Sequence, residues 1–281
     1  MALYLIGDIQ GCHTAFTRLL QHIGFSPSRD TLFVLGDLVN RGPDNAAVLR
    51  QLMAYGSSAR CLLGNHDLHM LAVSQGVRQP GSQDTFADVL TAPDRETLLH
   101  WLRHQHLAWR EGQVLMVHAG VLPQWDAAHT LALADEVQQV LRCDEWATFL
   151  SKMYGGLPNV WDDALEGADR LRIIVNALTR VRFCDAQGAM DFSIKEGADQ
   201  APPHLMPWFA VPHRRTQDVM VAFGHWSTLG PLTRDDVVCL DDGCVWGGCL
   251  SALRLTDAHQ PRSSQAERLS VKCEQVRDPL A

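Results

Sequence analysis

Five short apolar runs in this chain end in side chains that can ligate a metal ion. They end at Gly7-Asp8-Ile9-Gln10-Gly11, Gly36-Asp37, Gly64-Asn65-His66, His118 and Gly224-His225. Asp, Asn and His together suit a divalent ion such as Mn²⁺, Co²⁺ or Zn²⁺ better than Ca²⁺, which favours an all-oxygen shell. Glycines beside the ligands let the backbone turn sharply and approach closely. Taken singly, each signal is weak. An Asp after a strand is usually a cap or loop residue, a lone His118 or His225 is more often a hydrogen-bonded core histidine, and Arg41 alone reads as a surface ion-pair partner. The conjunction carries the argument, because Asp8, Asp37 and Asn65 lie 29 and 28 residues apart, the length of a βα unit.

The elements that must position these groups follow from the apolar periodicity. Strands are expected over Leu3–Ile6, Leu32–Leu35 and Arg60–Leu63. A helix is expected from Thr14 to Ile23, with Phe16, Leu19, Leu20 and Ile23 on one face, and another from Gly42 to Tyr55, with Asp44 as N-cap and Gly56 as stop. This βαβαβ run predicts a parallel sheet with right-handed crossovers, whose carboxyl-end crevice gathers ligands remote in sequence. Residues 78–112 read as a helical insertion, and residues 130–153 as helical again. Val114–Val117, Met190–Ile194 and Val219–Phe223 read as strands. Val237–Leu240 and Cys249–Leu255 are expected to pair as an antiparallel set. The fold class is α/β: a single domain over residues 1–255 with two mixed β-sheets sandwiched by helices. The polar tail, residues 256–281, is expected to be poorly ordered.

Composition narrows the class. The 281 residues are 46% hydrophobic and 20% charged, as in a globular domain. No apolar run is long enough to span a bilayer, and Met1–Asp8 lacks the basic region of a signal peptide, so a cytoplasmic protein with no membrane partner is expected. A formal net charge of −8 argues against a broad nucleic-acid surface, although bound metal cations can reverse the field locally for a phosphate substrate. The eight cysteines at 12, 61, 143, 184, 239, 244, 249 and 273 include no Cys-x-x-Cys pair. They read mostly as small buried hydrophobes in a reducing compartment.

Gly7-Asp8-x-Gln10-Gly11, Gly36-Asp37-Leu-Val-Asn40-Arg41-Gly42 and Gly64-Asn65-His66-Asp67 resemble the three signature blocks of phosphoprotein-phosphatase-type metallophosphoesterases. Further blocks resemble one branch, the bacterial symmetrical bis(5′-nucleosyl)-tetraphosphatases, which hydrolyse diadenosine tetraphosphate. These are Gly64–His69, His118–Trp125, Met153–Pro158, Asn176–Cys184, Pro207–Phe209, Phe223–Trp226 and Asp241–Gly248, so the resemblance covers about Met1 to Leu255. It implies a metallophosphoesterase fold and two divalent ions, Mn²⁺ or Co²⁺. Asp8 and Gln10 would hold the first and Asp37 would bridge, with Asn65, His118 and His225 completing the second. It further implies His66 as proton donor to the leaving oxygen, Arg41 as phosphate clamp and Arg180 or Arg182 as a second clamp. Asp67 either tunes His66 or caps the following helix. Two ions about 3.5–4 Å apart can share and activate a water, and arginine presents a planar fork to phosphate oxygens.

The implied reaction is hydrolysis of dinucleoside tetraphosphates at the central anhydride to two nucleoside diphosphates, extending to dinucleoside-polyphosphate-type caps on RNA 5′ ends. The alternatives are a protein phosphatase of the same superfamily and a catalytically weakened nucleotide-binding regulator. Gln10 stands where most of the superfamily has His, and supplies a weaker neutral ligand. Asn40 stands where protein phosphatases have an Asp that keeps the catalytic histidine protonated. It can orient the ring but adds no charge, which suits a good leaving group such as a nucleoside diphosphate. Trp125, Trp161, Trp208, Trp226 and Trp246 read first as core, with Trp226, next to His225, the best candidate for stacking on a base.

Overall fold

The alternation over the first sixty residues forms as expected. β1 (Leu3–Ile6), β2 (Thr31–Val34) and β3 (Ala59–Cys61) run parallel, with α1 (His13–His22) and α2 (Asn45–Ala54) crossing between them. α1 turns Ala15, Phe16, Leu19 and Leu20 inward, and burying each large side chain is worth about 1.5–3 kcal/mol. Asp44 occupies the N-cap position of α2, and Gly56 just beyond its end takes φ +54°. That left-handed backbone stops a helix at little cost for glycine. The computed structural model describes residues 2–194, 197–198, 201–230, 232, 234–258 and 266–277.

After β3 come α3 (Asn65–Ser74), α4 (Ala87–Leu90), α5 (Arg95–Arg103), β4 (Ala108–Glu111) and β5 (Val114–Val117). The stretch expected as a helical insertion therefore carries two helices and then passes into a strand. α6 (Ala127–Arg142), α7 (Trp146–Lys152) and α8 (Gly167–Arg180) follow, then β6 (Phe183–Cys184), β7 (Met190–Asp191) and β8 (Met206–Pro207), which form a small antiparallel sheet. The chain continues through β9 (Met220–Phe223), β10 (Val237–Cys239), β11 (Asp241–Asp242), β12 (Cys249–Leu255) and β13 (Glu267–Lys272).

Two mixed sheets form the centre, ordered β11-β12-β1-β2-β3 with β13 on β12, and β10-β9-β5-β4. Leu5, Phe33, Val114, Met116, Met220, Ala222 and Val238 from both sheets pack in one cluster between them. The alternate residues, such as Ile6, Val34, Val117 and Val221, face outward into a larger cluster with the helices. Period-two alternation buries both faces of each strand, giving a helix–sheet–sheet–helix sandwich.

Three expectations are corrected. Val237–Leu240 and Cys249–Leu255 do not pair with one another: β10 lies parallel to β9 in the second sheet, and β12 lies antiparallel to β1 in the first. Apolar runs declare strands but not partners. The tail beyond residue 255 is not wholly without order, because β13 pairs with β12 from Cys249–Lys272 to Arg254–Glu267. An edge strand needs only one half-buried face, here Leu269 and Val271, so its periodicity is faint in sequence. Residues 259–265 and 278–281 of that tail lie outside the described residues. Cys244 and Cys273 are joined as a disulfide, with Cα atoms 5.3 Å apart, which departs from the reading of most of the cysteines as small buried hydrophobes in a reducing compartment. Cys12, Cys61, Cys184 and Cys239 are buried and free, as expected, whereas Cys143 is exposed. Among the described residues, no helix is long and apolar enough to cross a membrane.

Candidate active site

The turns beyond the strands of both sheets hold unusual backbone. Gln10, Asp37, Asn40, Arg41 and His225 all have φ between +47° and +79°, a region costly for residues with a Cβ. Five such residues in three separate turns, all on or beside one cavity, mark where the fold accepts strain to aim side chains inward. Two glycines make the crowding possible. A Cβ on Gly64 would collide with the Asp37 carboxylate, and one on Gly224 with the Asp8 carboxylate.

Asp37, His118 and His225 bring their ligating atoms within 4.8 Å of one another. The His118 Nδ1–H donates to the Leu35 carbonyl at 2.8 Å, and burial holds the ring below the usual imidazole pKa. The neutral ring therefore has a bare lone pair on Nε2. That lone pair faces Asp37 Oδ1 at 3.5 Å and Asn65 Oδ1 at 3.3 Å. Three acceptors converging with no proton between them fit a cation, and the mixed nitrogen and oxygen set fits a divalent transition ion. His225 Nε2–H donates to the Arg180 carbonyl at 3.2 Å, which frees Nδ1 as a second nitrogen donor. Such outer bonds fix the tautomer of a ligating histidine. Asp8 accepts from the His225 N–H at 3.0 Å, and Gln10 lines the same cavity as Asp37 and His225. The structure thus brings the six expected ligands to one place, though they arrive from both sheets.

Negative charge is concentrated here. Burial first, then the nearby Asp241 and Asp37, push the Asp8 carboxyl well above its ordinary range. Asp241, pushed up to about 7 mainly by burial, was not singled out from sequence. It comes directly after the apolar run Val237–Leu240, so the strand-end rule that found the other ligands reaches it too.

His66 sits at the start of α3, where its N–H donates to Asp37 Oδ1 at 2.9 Å. Its ring is fixed by Asn40. The Asn40 Oδ1 accepts from the N–H of Arg41 at 2.7 Å and of Thr85 at 3.1 Å. Its Nδ2 donates to Asp84 Oδ1 at 2.8 Å and meets His66 Nδ1 at 3.0 Å. With the amide oriented by those partners, Nδ1 of His66 must accept, so the ring proton rests on Nε2. Burial also lowers the His66 pKa. Asp84, which no pattern in the sequence points to, thereby reaches the histidine through one intermediary.

Arg41, Arg180 and Arg182 all line the cavity, which has a volume of about 350 Å³. The Arg182 guanidinium donates to the His225 carbonyl at 2.9 Å, and that of Arg180 lies 4.6 Å from the Phe192 ring. Of the two roles expected for Asp67, the helix cap is the one the structure shows, and Asp67 makes no hydrogen bond to His66. Its buried carboxylate accepts from the N–H groups of Leu38, Val39 and Gly64, so it caps α3 and ties the β2 turn to the β3 turn. Trp226 is fully buried against Phe183, with ring centroids 4.8 Å apart, and offers no face to a base. Adjacency in sequence to His225, whose backbone is left-handed at φ +65°, does not place Trp226 on the cavity. Trp246, half-buried, is the tryptophan on the cavity wall, whereas Trp125 and Trp208 are core.

This fold with its histidine–carboxylate cluster defines a calcineurin-like phosphoesterase, and that family's profile matches residues 1–177. The chain is a metal-dependent hydrolase of that class. Over 100% of both chains it is 60% identical to the symmetrical bis(5′-nucleosyl)-tetraphosphatase of Acidovorax ebreus (strain TPSY). It is 58% identical to the protein of that name from Delftia acidovorans (strain DSM 14801 / SPH-1), over 99% of this chain and 100% of the relative. The chain belongs to the symmetrical bis(5′-nucleosyl)-tetraphosphatase family. Among solved structures, a crystal structure provisionally assigned as a diadenosine tetraphosphatase shares the fold, with a TM-score of 0.63 at 22% identity, over 97% of this chain and 94% of that one. A protein serine/threonine phosphatase from Saccharomyces cerevisiae shares it with a TM-score of 0.56 at 11% identity, over 98% and 81%.

Proposed function

We propose that this chain hydrolyses diadenosine tetraphosphate and related dinucleoside tetraphosphates at the central anhydride, releasing two nucleoside diphosphates, with two divalent ions, Mn²⁺ or Co²⁺, in the site. The observation that carries this reading is the meeting of the His118 Nε2 lone pair with Asp37 Oδ1 and Asn65 Oδ1, in a chain so similar over its full length to the named relatives. Asp8 and Gln10 would hold one ion and Asn65, His118 and His225 the other, with Asp37 contributing to both. When bound, the ions supply a lowered pKa to the attacking water and neutralise charge on the phosphoryl oxygens.

The chain's own side chains do the rest. Arg41, with Arg180 or Arg182, binds the polyphosphate oxygens by charge-assisted hydrogen bonds. His66 presents Nε2–H to the leaving oxygen, and a neutral imidazole suffices because a nucleoside diphosphate leaves readily. The same anhydride occurs in dinucleoside-polyphosphate-type caps on RNA 5′ ends, and the reading extends to them.

Chromatography of the products from diadenosine tetraphosphate with Mn²⁺ or Co²⁺ tests the proposal. ADP as sole product, with no turnover after the protein is stripped of metal, is the expected result. AMP plus ATP, or undiminished turnover without metal, overturns it.

A further inference from the structure

A second cavity of about 700 Å³ opens beside the metal centre, and the two cavities share Arg41, Asn65, His66 and Arg180 along their common wall. Asp37, Asp241 and His225 line only the first. The second is walled by Leu68, Met153 and Val175, and at its rim Arg78 lays its guanidinium 4.1 Å from the centroid of the Tyr154 ring. Tyr154 is held in turn by its hydroxyl against His69 Nδ1 at 2.9 Å, and His69 Nε2 meets Asp84 at 2.9 Å. The platform is therefore braced from behind, while Arg78 itself is solvent-exposed.

A substrate made of two equal halves needs a site with two lobes meeting where the bond breaks. In-line displacement puts the nucleophile and the leaving group on opposite sides of phosphorus. The nucleophile must come from the carboxylate–histidine side, so the departing half must lie on the other side of His66. Resting on the function proposed above, we infer that the second cavity binds the leaving nucleoside diphosphate. Its phosphates lie between Arg41 and Arg180, and its base stacks on the outer face of Arg78, completing a Tyr154–Arg78–base sandwich. A guanidinium plane accepts any base face. The apolar wall takes the ribose, and the size lies within the range usual for small-molecule sites. Arg78 and Tyr154 are then specificity residues that require a nucleoside on the departing side.

The test compares full-length, metal-loaded wild type with Arg78→Ala, on diadenosine tetraphosphate and on inorganic tetraphosphate, which has the same anhydrides and no nucleoside. Losing one stacking partner should lower the ratio of kcat/KM for the dinucleotide to that for inorganic tetraphosphate by roughly five- to a hundredfold, chiefly through KM. Tyr154→Phe, which keeps the ring but loses the hydroxyl brace to His69, should lower the ratio less than Tyr154→Leu, which removes the ring. An unchanged ratio in Arg78→Ala, while wild type still yields ADP alone, overturns the cavity assignment and leaves the reaction intact. Failure of wild type to turn over the dinucleotide while it cleaves inorganic tetraphosphate overturns the reaction and the assignment together.

Discussion

At the residue scale, Asn40 reconciles two neighbours that a carboxylate could not. Its amide gives one proton to Asp84 and the other to His66, so the negative charge absent at position 40 is present one hydrogen bond further out. An Asp at 40 would face Asp84 at hydrogen-bond distance with no proton between them, and like charges that close repel strongly. Asn40→Asp should therefore lower kcat for the dinucleotide by at least about tenfold, and adding Asp84→Asn should recover most of that loss, a coupling of the size seen for directly bonded neighbours. A double variant no faster than the single one would show that Asp84 does not act through Asn40. The candidate ligands were legible because each sits at the end of an apolar strand. Asp84 was not, because nothing local distinguishes an Asp in the loop after Gly81; only the approach of that loop to the β2 turn gives it a partner.

At the element scale, the start of α3 does two tasks. Asp67 satisfies three backbone N–H groups from two turns, holding the loop that carries Asn40 and Arg41 against the helix that carries His66. Removing it leaves buried donors unpaired at about 1–3 kcal/mol each. Asp67→Ala should thus cost at least about 3 kcal/mol in urea unfolding. A stability loss under about 1 kcal/mol, with kcat reduced, would instead favour the discarded reading that Asp67 tunes His66. Helix and strand positions were readable from periods of 3.6 and 2, but α8 was not, even though seven of its residues from Ile173 to Thr179 are buried. Its surface residues gather in the first half, Gly167–Arg172, and its buried ones in the second, so no apolar stripe runs its whole length.

At the scale of the whole molecule, the net charge of −8 is partly drawn into one site. The unfolded Asp241 carboxyl titrates near pH 4, whereas in the folded, metal-free protein it is pushed up to about 7. Between those values the folded chain holds a proton that the unfolded chain has lost. This group's contribution to stability is therefore complete below about pH 4 and disappears as pH rises toward 7. The neighbouring histidines, whose pKa values are lowered, act in the opposite sense, so the difference between two variants is the clean observable. Metal-stripped Asp241→Asn should melt progressively higher than wild type as pH rises from about 4 to about 7, and saturating Mn²⁺ should shrink the gap. A gap independent of pH would mean that Asp241 titrates normally.

The sequence alone determined the class of the molecule, its two-sheet sandwich and the six ligand candidates. The class rests on the resemblance of the signature blocks. The sheets and the candidates rest on local periodicity and on the residue types that close each strand, and all of these are written within short stretches of the chain. The tertiary structure decided which strands pair, that Trp226 is core while Trp246 reaches the cavity, that Asp67 braces two turns, and that Asp84 and Asp241 join the site. It also set a braced arginine–tyrosine pair at the mouth of a second cavity. Each of these depends on contact between segments tens of residues apart, and burial, partner and direction at such contacts are properties of the packed chain.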